Sequence, residues 1–467
     1  MEIKNVSCKK GVKRLITMRR GIYCWMRFGF YFLIQIGHAQ VPGKICPWQD
    51  DKKGAVVLTF DDWTPGQFPI ATPELKSRNM NATFFIITNN VASWNYPWPD
   101  VLVEITNGNE IGNHTYTHPY LSQLNTWATT APIPPYPDLT SQITREVGGA
   151  KKTLEQNIST QQILTFAYPF GDFNTQVVDS VIADGHICAR GVIPPSNFSY
   201  DFAVNPSDYY NLNTFPMSTS VSLNSFFGQI QNVINGGGLL TFLYHSLDNG
   251  TEYNDNWYSQ VQQSAFEQQL DTLASVKNQV WITTLMQAIK YHKEKRCASL
   301  SQISLNNSQW ILNLTDTLSN NAVYNQPLSL KLYTNGVTYG SIMQNGVSIK
   351  IDSESNDTIM FRAVPDAGLI TLTVGTYTAL KASGSETKDI VISPIPTNGV
   401  LTIKTTCLFS SPTITFFDAM GRKVYQERMQ SQTDSYTIDM AGYDAGVYYL
   451  QLTSLEGTFV KKVIVSN

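Results

Sequence analysis

The chain has 467 residues, 42% hydrophobic and 15% charged, enough apolar mass for roughly three domains, which excludes disorder along its whole length. Its formal charge of −3 hides an asymmetry: residues 1–39 hold eight of the 33 Lys/Arg against Glu2 alone, so 25 basic residues meet 35 acidic ones in the rest. A body that acidic is repelled by a phosphate backbone, which argues against a nucleic-acid partner.

In residues 1–39 the basic cluster ending at Arg27 precedes an apolar run, 28–36, and then the small residues Gly37-His38-Ala39. That order is the n-region, h-region and cleavage site of a signal peptide, so 1–39 is expected to direct export, with Met18 and Met26 as alternative starts. The run is shorter than the ~20 apolar residues that cross a bilayer, and no transmembrane helix is expected in the mature chain. Cleavage leaves Cys46, Cys188, Cys297 and Cys407 and no CxxC pair, which excludes a disulfide scaffold and cysteine-based zinc chemistry. One bridge, Cys46–Cys297, would join the two ends of the first domain, with nothing further in the sequence to support it.

Residues 54–295 mix buried strands with helices. The segments 55–60, 82–87, 163–167 and 239–243 are short, apolar and bounded by turn residues, as buried parallel strands are. Helical candidates lie between them at 141–156, 175–184 and 258–275. This alternation predicts an α/β layered or barrel domain. From 300 to 385 helical periodicity gives way to spaced strands (310–314, 328–333, 347–351, 358–362 and 369–374), as in a small β-sandwich. Residues 381–388 read as a linker, and a second all-β unit occupies 390–467.

The chemistry lies in the first of these stretches. Leu58-Thr59-Phe60-Asp61-Asp62 ends an apolar strand in two adjacent carboxylates, and such carboxyl ends are where α/β proteins assemble their sites. Neighbouring strand residues face opposite ways, but a strand breaking into a loop can bring both to one pocket. His114-Thr115-Tyr116-Thr117-His118 offers two imidazoles at i and i+4, able to face one metal if a further ligand arrives. Pro119 is expected to open a helix just after them. Two later strands end in Tyr168-Pro169-Phe170-Gly171 and in Leu243-Tyr244-His245; His186 and His292 lack such context and read as structural. Taken singly, each motif has a plain alternative as a solvated acid, a surface histidine or a rim residue. Yet outside the expected leader only five histidines remain, and two of them falling in one HxxxH make chance clustering a poor explanation.

In order and spacing, Thr59-Phe60-Asp61-Asp62, His114 to His118, Tyr168 to Gly171 and Leu243-Tyr244-His245 resemble the motifs of polysaccharide deacetylases, the NodB-homology group or carbohydrate esterase family four. The resemblance covers 54–295 and implies a distorted (β/α) barrel, followed here by two small β-sandwich domains. It implies that Asp62, His114 and His118 hold a divalent metal, zinc foremost with cobalt or nickel as alternatives. It further implies Asp61 as general base, His245 as general acid and a water on the metal as nucleophile. Phe170, through its backbone N–H, Tyr168 and Leu243 would form the oxyanion and acetyl pocket. One departure stands out: many members carry, before the third motif, an Arg that pairs with the base, and here that position is Ala167. An acid left without that Arg has a different pKa and looser orientation. The partner of His245 is open among Asp201, Asp208 and Asp172.

Residues 390–467 resemble the sorting domain of the type nine secretion system, through Pro394 to Gly399, Phe417 to Val424, Ala445 to Leu450 and Lys461 to Ile464. The implied location is secreted or cell-surface, with the secretion machinery as one partner and an acetylated glycan as the other. In the 300–385 sandwich, Trp310, Tyr324 and Tyr333 are a conceivable sugar platform, but a spacer role is favoured. Two functions follow: a secreted metal-dependent carbohydrate de-N- or O-acetylase, or a catalytically inactive carbohydrate-binding protein on a deacetylase scaffold. Loops 89–98 and 121–140, stiff with proline and aromatic residues, are expected to border the groove; neither they nor the motifs name a sugar.

Overall fold

The computed structural model describes residues 43–91, 97–125, 136–192, 199–203, 208–252, 258–305, 308–334, 336–337, 339–355, 357–375, 390–405, 412–418, 422–428, 435–454 and 457–466. The expected signal peptide and the 381–388 linker lie outside them. A short strand, β1 (Gly43–Ile45), precedes the first layer, whose order is β2 (Gly54–Asp61), α1 (Thr72–Ser77), β3 (Thr83–Ile86), α2 (Trp98–Thr106), β4 (Glu110–Asn113), α3 (Leu139–Ile143), α4 (Ala150–Asn157), β5 (Thr165–Ala167), α5 (Thr175–Ala183) and β6 (Cys188–Arg190). It continues with β7 (Phe215–Pro216), α6 (Leu223–Gly236), β8 (Leu239–Tyr244), β9 (Leu247–Asp248), β10 (Val261–Gln262), α7 (Gln263–Ser275), β11 (Val280–Thr283) and α8 (Leu285–Cys297).

Strands β6-β5-β4-β3-β2-β8-β7 pair in parallel in that order, and β11 joins the first half of β2. The segment just before β7 bonds back to β6, Leu212 N–H to Ala189 O at 3.0 Å and Gly191 N–H to Leu212 O at 3.2 Å, which curls the sheet into a distorted barrel. All eight residues of β2 are buried, as a central parallel strand covered on both faces must be. Side-chain caps start the helices: Asn174 accepts from Val177 N–H, Ser222 from Ser225 N–H and Thr284 from Gln287 N–H.

The expected helix 141–156 is one run, α3 to α4, interrupted by a π-helical turn at Thr144–Gly149. Two expectations need correction. The helix placed at 258–275 starts only at Gln263, because Val261 and Gln262 pair with Leu247 and Asp248. No helix follows Pro119; residues 117–125 are loop, and the next helix begins at Leu139.

The second layer is a sandwich of two sheets. One joins β1, β14 (Leu328–Tyr333), β18 (Thr358–Ala363) and β17 (Ile351–Glu354). The other joins β12 (Ser299–Leu305), β13 (Gln309–Thr315), β19 (Ile370–Val374), β15 (Tyr339–Gln344) and β16 (Val347–Ser348). Its core is continuous with the barrel's: Ala55, Val57, Trp281, Leu285 and Tyr291 pack in one cluster with Leu312, Leu330, Leu332 and Phe361. Strand β1, which precedes the barrel in sequence, pairs antiparallel with β14 of the sandwich. Cys46 N–H donates to Ser329 O at 2.8 Å, and the Tyr291 hydroxyl donates to Cys46 O at 3.1 Å. The conjectured Cys46–Cys297 bridge does not form: both thiols are free, with Cys46 in this seam and Cys297 ending α8. Trp310 is buried against Tyr339, so it serves the sandwich core rather than a sugar platform. A separate core built on Leu401, Ile403, Phe416, Leu450 and Val463 holds the last unit. Its sheets are β20 (Ile390–Ser393)–β21 (Val400–Thr405)–β24 (Ser435–Asp439) and β23 (Lys423–Arg428)–β22 (Thr413–Asp418)–β25 (Gly446–Ser454)–β26 (Gly457–Val465).

His186 and His292 are structural, as read from the sequence. His186 bridges Val181 O and the Asn113 amide, and His292 stacks on Phe202 at 3.9 Å and bonds the Tyr209 hydroxyl. Burial pushes both imidazoles down to about 3, whereas in the unfolded chain they titrate near 6.5. The unfolded state therefore holds more protons between those values, so stability is full above about pH 6.5 and is lost as pH falls. Each histidine should cost about 2 kcal/mol of stability between pH 7 and pH 5. Denaturant unfolding at the two pH values checks this: His292→Gln should shrink the difference, and an undiminished difference contradicts the assignment.

Candidate metal and catalytic site

The site is assembled where β2, β4, β5, β6 and β8 run out. Asp61 is the last residue of β2, and Asp62 and Trp63 follow in left-handed conformation, φ 75° and 60°. That turn breaks the strand's alternation and brings both carboxylates to one side. Asp61 Oδ2 stands 3.6 Å, and Asp62 Oδ1 3.3 Å, from His114 Nε2. His118 Nε2 is 3.5 Å from the same Asp62 oxygen.

The two histidines sit on a loop, not on a helix. His114 follows β4 and donates from Nδ1 to Ala167 O at 2.9 Å, which turns Nε2 toward the carboxylates. Thr115 and His118 are left-handed, φ 68° and 63°, and Thr115 Oγ1 accepts from His118 N–H at 2.9 Å. A β-branched residue in that region is strained, by about 1–3 kcal/mol, and such strain gathers at functional sites.

Asp62, His114 and His118 offer ligand atoms within 4.8 Å of one another. Asp62 Oδ1 is buried without a hydrogen-bond partner among the described residues, facing only those two imidazole nitrogens. Burial alone would raise the Asp62 carboxyl, but His114, then His118 and His245, hold it at about 2. Burial lowers His118 to about 3, so its ring is neutral with a lone pair to give. An orphaned carboxylate oxygen and two imidazole nitrogens converging on it suit a divalent cation with open positions left over.

The position left empty by Ala167 is filled from the next strand. Ala167 on β5 pairs in register with Arg190 on β6. Arg190 Nη2 donates to Asp61 Oδ1 in a close ion pair whose side chains are 0% and 3% exposed. Its guanidinium lies over the Phe85 ring, 4.6 Å from the centroid. Burial lowers Arg190 to about 9, so it remains a cation at neutral pH. Sequence reasoning missed this residue. Its one signal is a lone Arg ending the otherwise apolar strand Cys188-Ala189-Arg190.

His245 follows β8. Its carbonyl accepts from Gln67 Nε2 at 2.8 Å and from the Thr64 hydroxyl at 3.2 Å, and the same Gln67 nitrogen donates to Asp61 O at 2.5 Å. Gln67, at the start of a π-helical turn, thus ties the backbones of Asp61 and His245 together, a second positioning residue the sequence did not reveal. Burial pushes His245 down to about 4. Its Nδ1 has no hydrogen-bond partner among the described residues, and its ring meets Tyr258 edge-on at 4.9 Å.

None of the three acids considered as its partner serves. Asp201 binds Asn213 and bridges to Leu239 at the amino end of β8, about 20 Å of strand from His245. Asp208 accepts from Tyr210 N–H, and Asp172 from the amide and hydroxyl of Ser122.

The remaining expected residues divide. Phe170 lies in a left-handed turn, φ 59°, with its ring 54% exposed, stacked on Tyr120 at 4.2 Å and edge-on to His118 at 4.5 Å. Leu243 is buried, on the opposite face of β8 from Phe242 and Tyr244. Tyr168, grouped with the pocket from the sequence, belongs elsewhere: its ring is buried against Phe166 and Phe173 and its hydroxyl donates to Tyr210 O, because the turn that exposes Phe170 points Tyr168 inward. Of the expected groove loops, residues 92–96 and 126–135 lie outside the described residues.

Residues 49–186 match the family model for polysaccharide deacetylase, and residues 391–466 match that of a secretion system C-terminal sorting domain. A peptidoglycan-N-acetylglucosamine deacetylase of Bacillus cereus is 41% identical over 75 residues, 16% of this chain and 26% of that protein. A gellan lyase of a Bacillus species is 22% identical over 383 residues, 76% of this chain but 14% of that protein. The chain thus spans about a quarter or less of the length of the relatives it matches. Among solved structures, a family 4 carbohydrate esterase from Streptomyces lividans in complex with acetate is 19% identical, covering 51% of this chain and 95% of that one with a TM-score of 0.33. The chain therefore carries a polysaccharide deacetylase segment over residues 49–186 and, over residues 391–466, a sorting domain that directs it to the cell surface or beyond.

Proposed function

We propose that this protein is an exported, metal-dependent hydrolase that removes N- or O-linked acetyl groups from a polysaccharide or oligosaccharide. The observation that carries the reading is the buried Asp62–His114–His118 cluster with a second carboxylate, Asp61, beside it. A divalent cation held by those three residues, Zn2+ foremost with Co2+ or Ni2+ as alternatives, would polarise the acetyl carbonyl and acidify a water.

Asp61 is the base. Arg190 pairs with its Oδ1, which holds the carboxylate in place, and its Oδ2, 3.6 Å from His114 Nε2, is left to take a proton from the attacking water. The backbone N–H of Phe170, in its left-handed turn, faces the developing oxyanion in this scheme, and Leu243 lies against the acetyl methyl. His245, as the imidazolium, gives a proton to the leaving sugar nitrogen or oxygen and is left as the neutral ring, the form that burial favours. Gln67 holds the Asp61 and His245 backbones at a constant separation. The rival, a glycan-binding protein without turnover, drew on Ala167, and Arg190 supplies the guanidinium that Ala167 lacks.

Two tests follow from these roles. The full chain should release acetate from at least one member of a panel of N- and O-acetylated glycans, lose that activity on chelation and regain it with zinc. Asp61→Asn should lower the rate about 10²–10⁴-fold; zinc-loaded protein silent across the panel, or an Asp61→Asn variant as fast as wild type, contradicts the reading. Separately, Arg190→Ala should cut kcat about 10²-fold through a misplaced base, and adding Ala167→Arg to that variant should recover part of it. A double variant no faster than Arg190→Ala would show that the guanidinium acts only from β6.

A further inference from the structure

We infer that Glu146 is a positioning residue for the metal-ligand loop, fixing the backbone between His114 and His118 and thereby the affinity of the site; this rests on the metal reading above. Glu146 is fully buried, in the π-helical turn between α3 and α4, and such turns recur at functional sites. Its Oε2 accepts from Tyr116 N–H at 2.9 Å and Thr117 N–H at 2.8 Å. Its Oε1 accepts from the Thr117 hydroxyl at 2.7 Å and from the Tyr136 hydroxyl.

These donors belong to the loop that needs holding. Thr115 and His118 are both left-handed, and a strained loop keeps its shape only where its surroundings over-determine it. The loop carbonyls are already pinned on one side, Thr115 O by Thr88 N–H at 3.2 Å and Tyr116 O by Asn89 N–H at 3.0 Å. Glu146 pins the two intervening amides from the other side. The Arg145 guanidinium, 4.8 Å above the Tyr116 ring, closes the same corner. Outer partners of this kind set ligand orientation, and losing one commonly costs a metal site about 10–100-fold in affinity.

Glu110 provides the contrast. It too is a buried carboxylate satisfied by several donors, Thr83 Oγ1 and Met286 N–H at 2.8 Å and Thr165 Oγ1 at 2.5 Å, but it stands at the amino end of β4, away from the ligand loop.

The test is the zinc affinity of the full chain, measured by competition with a chromophoric chelator, beside its melting temperature. Glu146→Met, similar in volume but without acceptors, should weaken zinc about 10–100-fold at a temperature where it is folded. Glu146→Gln should stay within about threefold of wild type, its amide oxygen accepting both N–H groups and its NH2 donating to the two hydroxyls. Glu110→Gln should lower the melting temperature and leave zinc affinity unchanged. If Glu146→Met does not fold, Thr117→Val decides, with about 3–10-fold weaker zinc expected from one lost hydrogen bond. Wild-type zinc affinity in folded Glu146→Met, or in Thr117→Val where that variant decides, overturns the inference. Asp62→Asn binding zinc as wild type does would instead overturn the metal reading itself.

Discussion

Two carboxylates consecutive in sequence stand side by side almost out of water, and the rest of the site answers that electrostatic problem. Like charges this close and this poorly solvated cannot persist without compensation. Asp61 is neutralised by Arg190, whose own burial is tolerable only because it has that partner. Asp62 is left facing two imidazoles with one orphaned oxygen, an arrangement that suits a cation. In the proposed scheme the compensation also divides the labour: the carboxylate bound to a guanidinium would stay free of the metal, and the other would ligate it.

The scaffold makes this division rigid. Strand β2 ends in Asp61, with Asp62 the next residue, and is buried along its whole length, paired with β8 on one side and with β11 and β3 on the other. Its Phe60 ring is stacked between Phe84 and Tyr244 at 4.9 and 5.2 Å, so the strand that ends in the acids is locked by its neighbours' aromatic faces. At the rim, Gln67 and Glu146 emerge from π-helical turns and hold backbone on either side of the pocket. Below, the barrel shares a core with the β-sandwich through Trp281, Tyr291 and Leu330, which makes that sandwich part of the barrel's support.

Much of this was legible in the sequence because the informative residues are local. The strand at 55–60 is an apolar run ending in Asp-Asp, and the histidine pair lies within five residues. What escaped depends on partners distant in sequence. Arg190 acts at Ala167's place only because β5 and β6 pair in a particular register, and strand β6 is three residues long. Strand β4, Glu-Ile-Gly-Asn, has no apolar run to announce it, and β1 reveals itself only by pairing with β14, nearly three hundred residues later. Tyr168 falls outside the pocket expected of it because the turn around the left-handed Phe170, invisible to side-chain type, leaves the Tyr168 ring buried and the Phe170 ring exposed. Glu146 carries no motif; its importance comes from four donors converging on it.

The most direct test of the central claim is anomalous diffraction at the zinc absorption edge from crystals of the full chain grown with stoichiometric zinc. The account predicts one strong peak bounded by Asp62 Oδ1, His114 Nε2 and His118 Nε2, with Asp61 still on Arg190. A peak ligated by Asp61 in place of Asp62, or no peak among these residues, would contradict it.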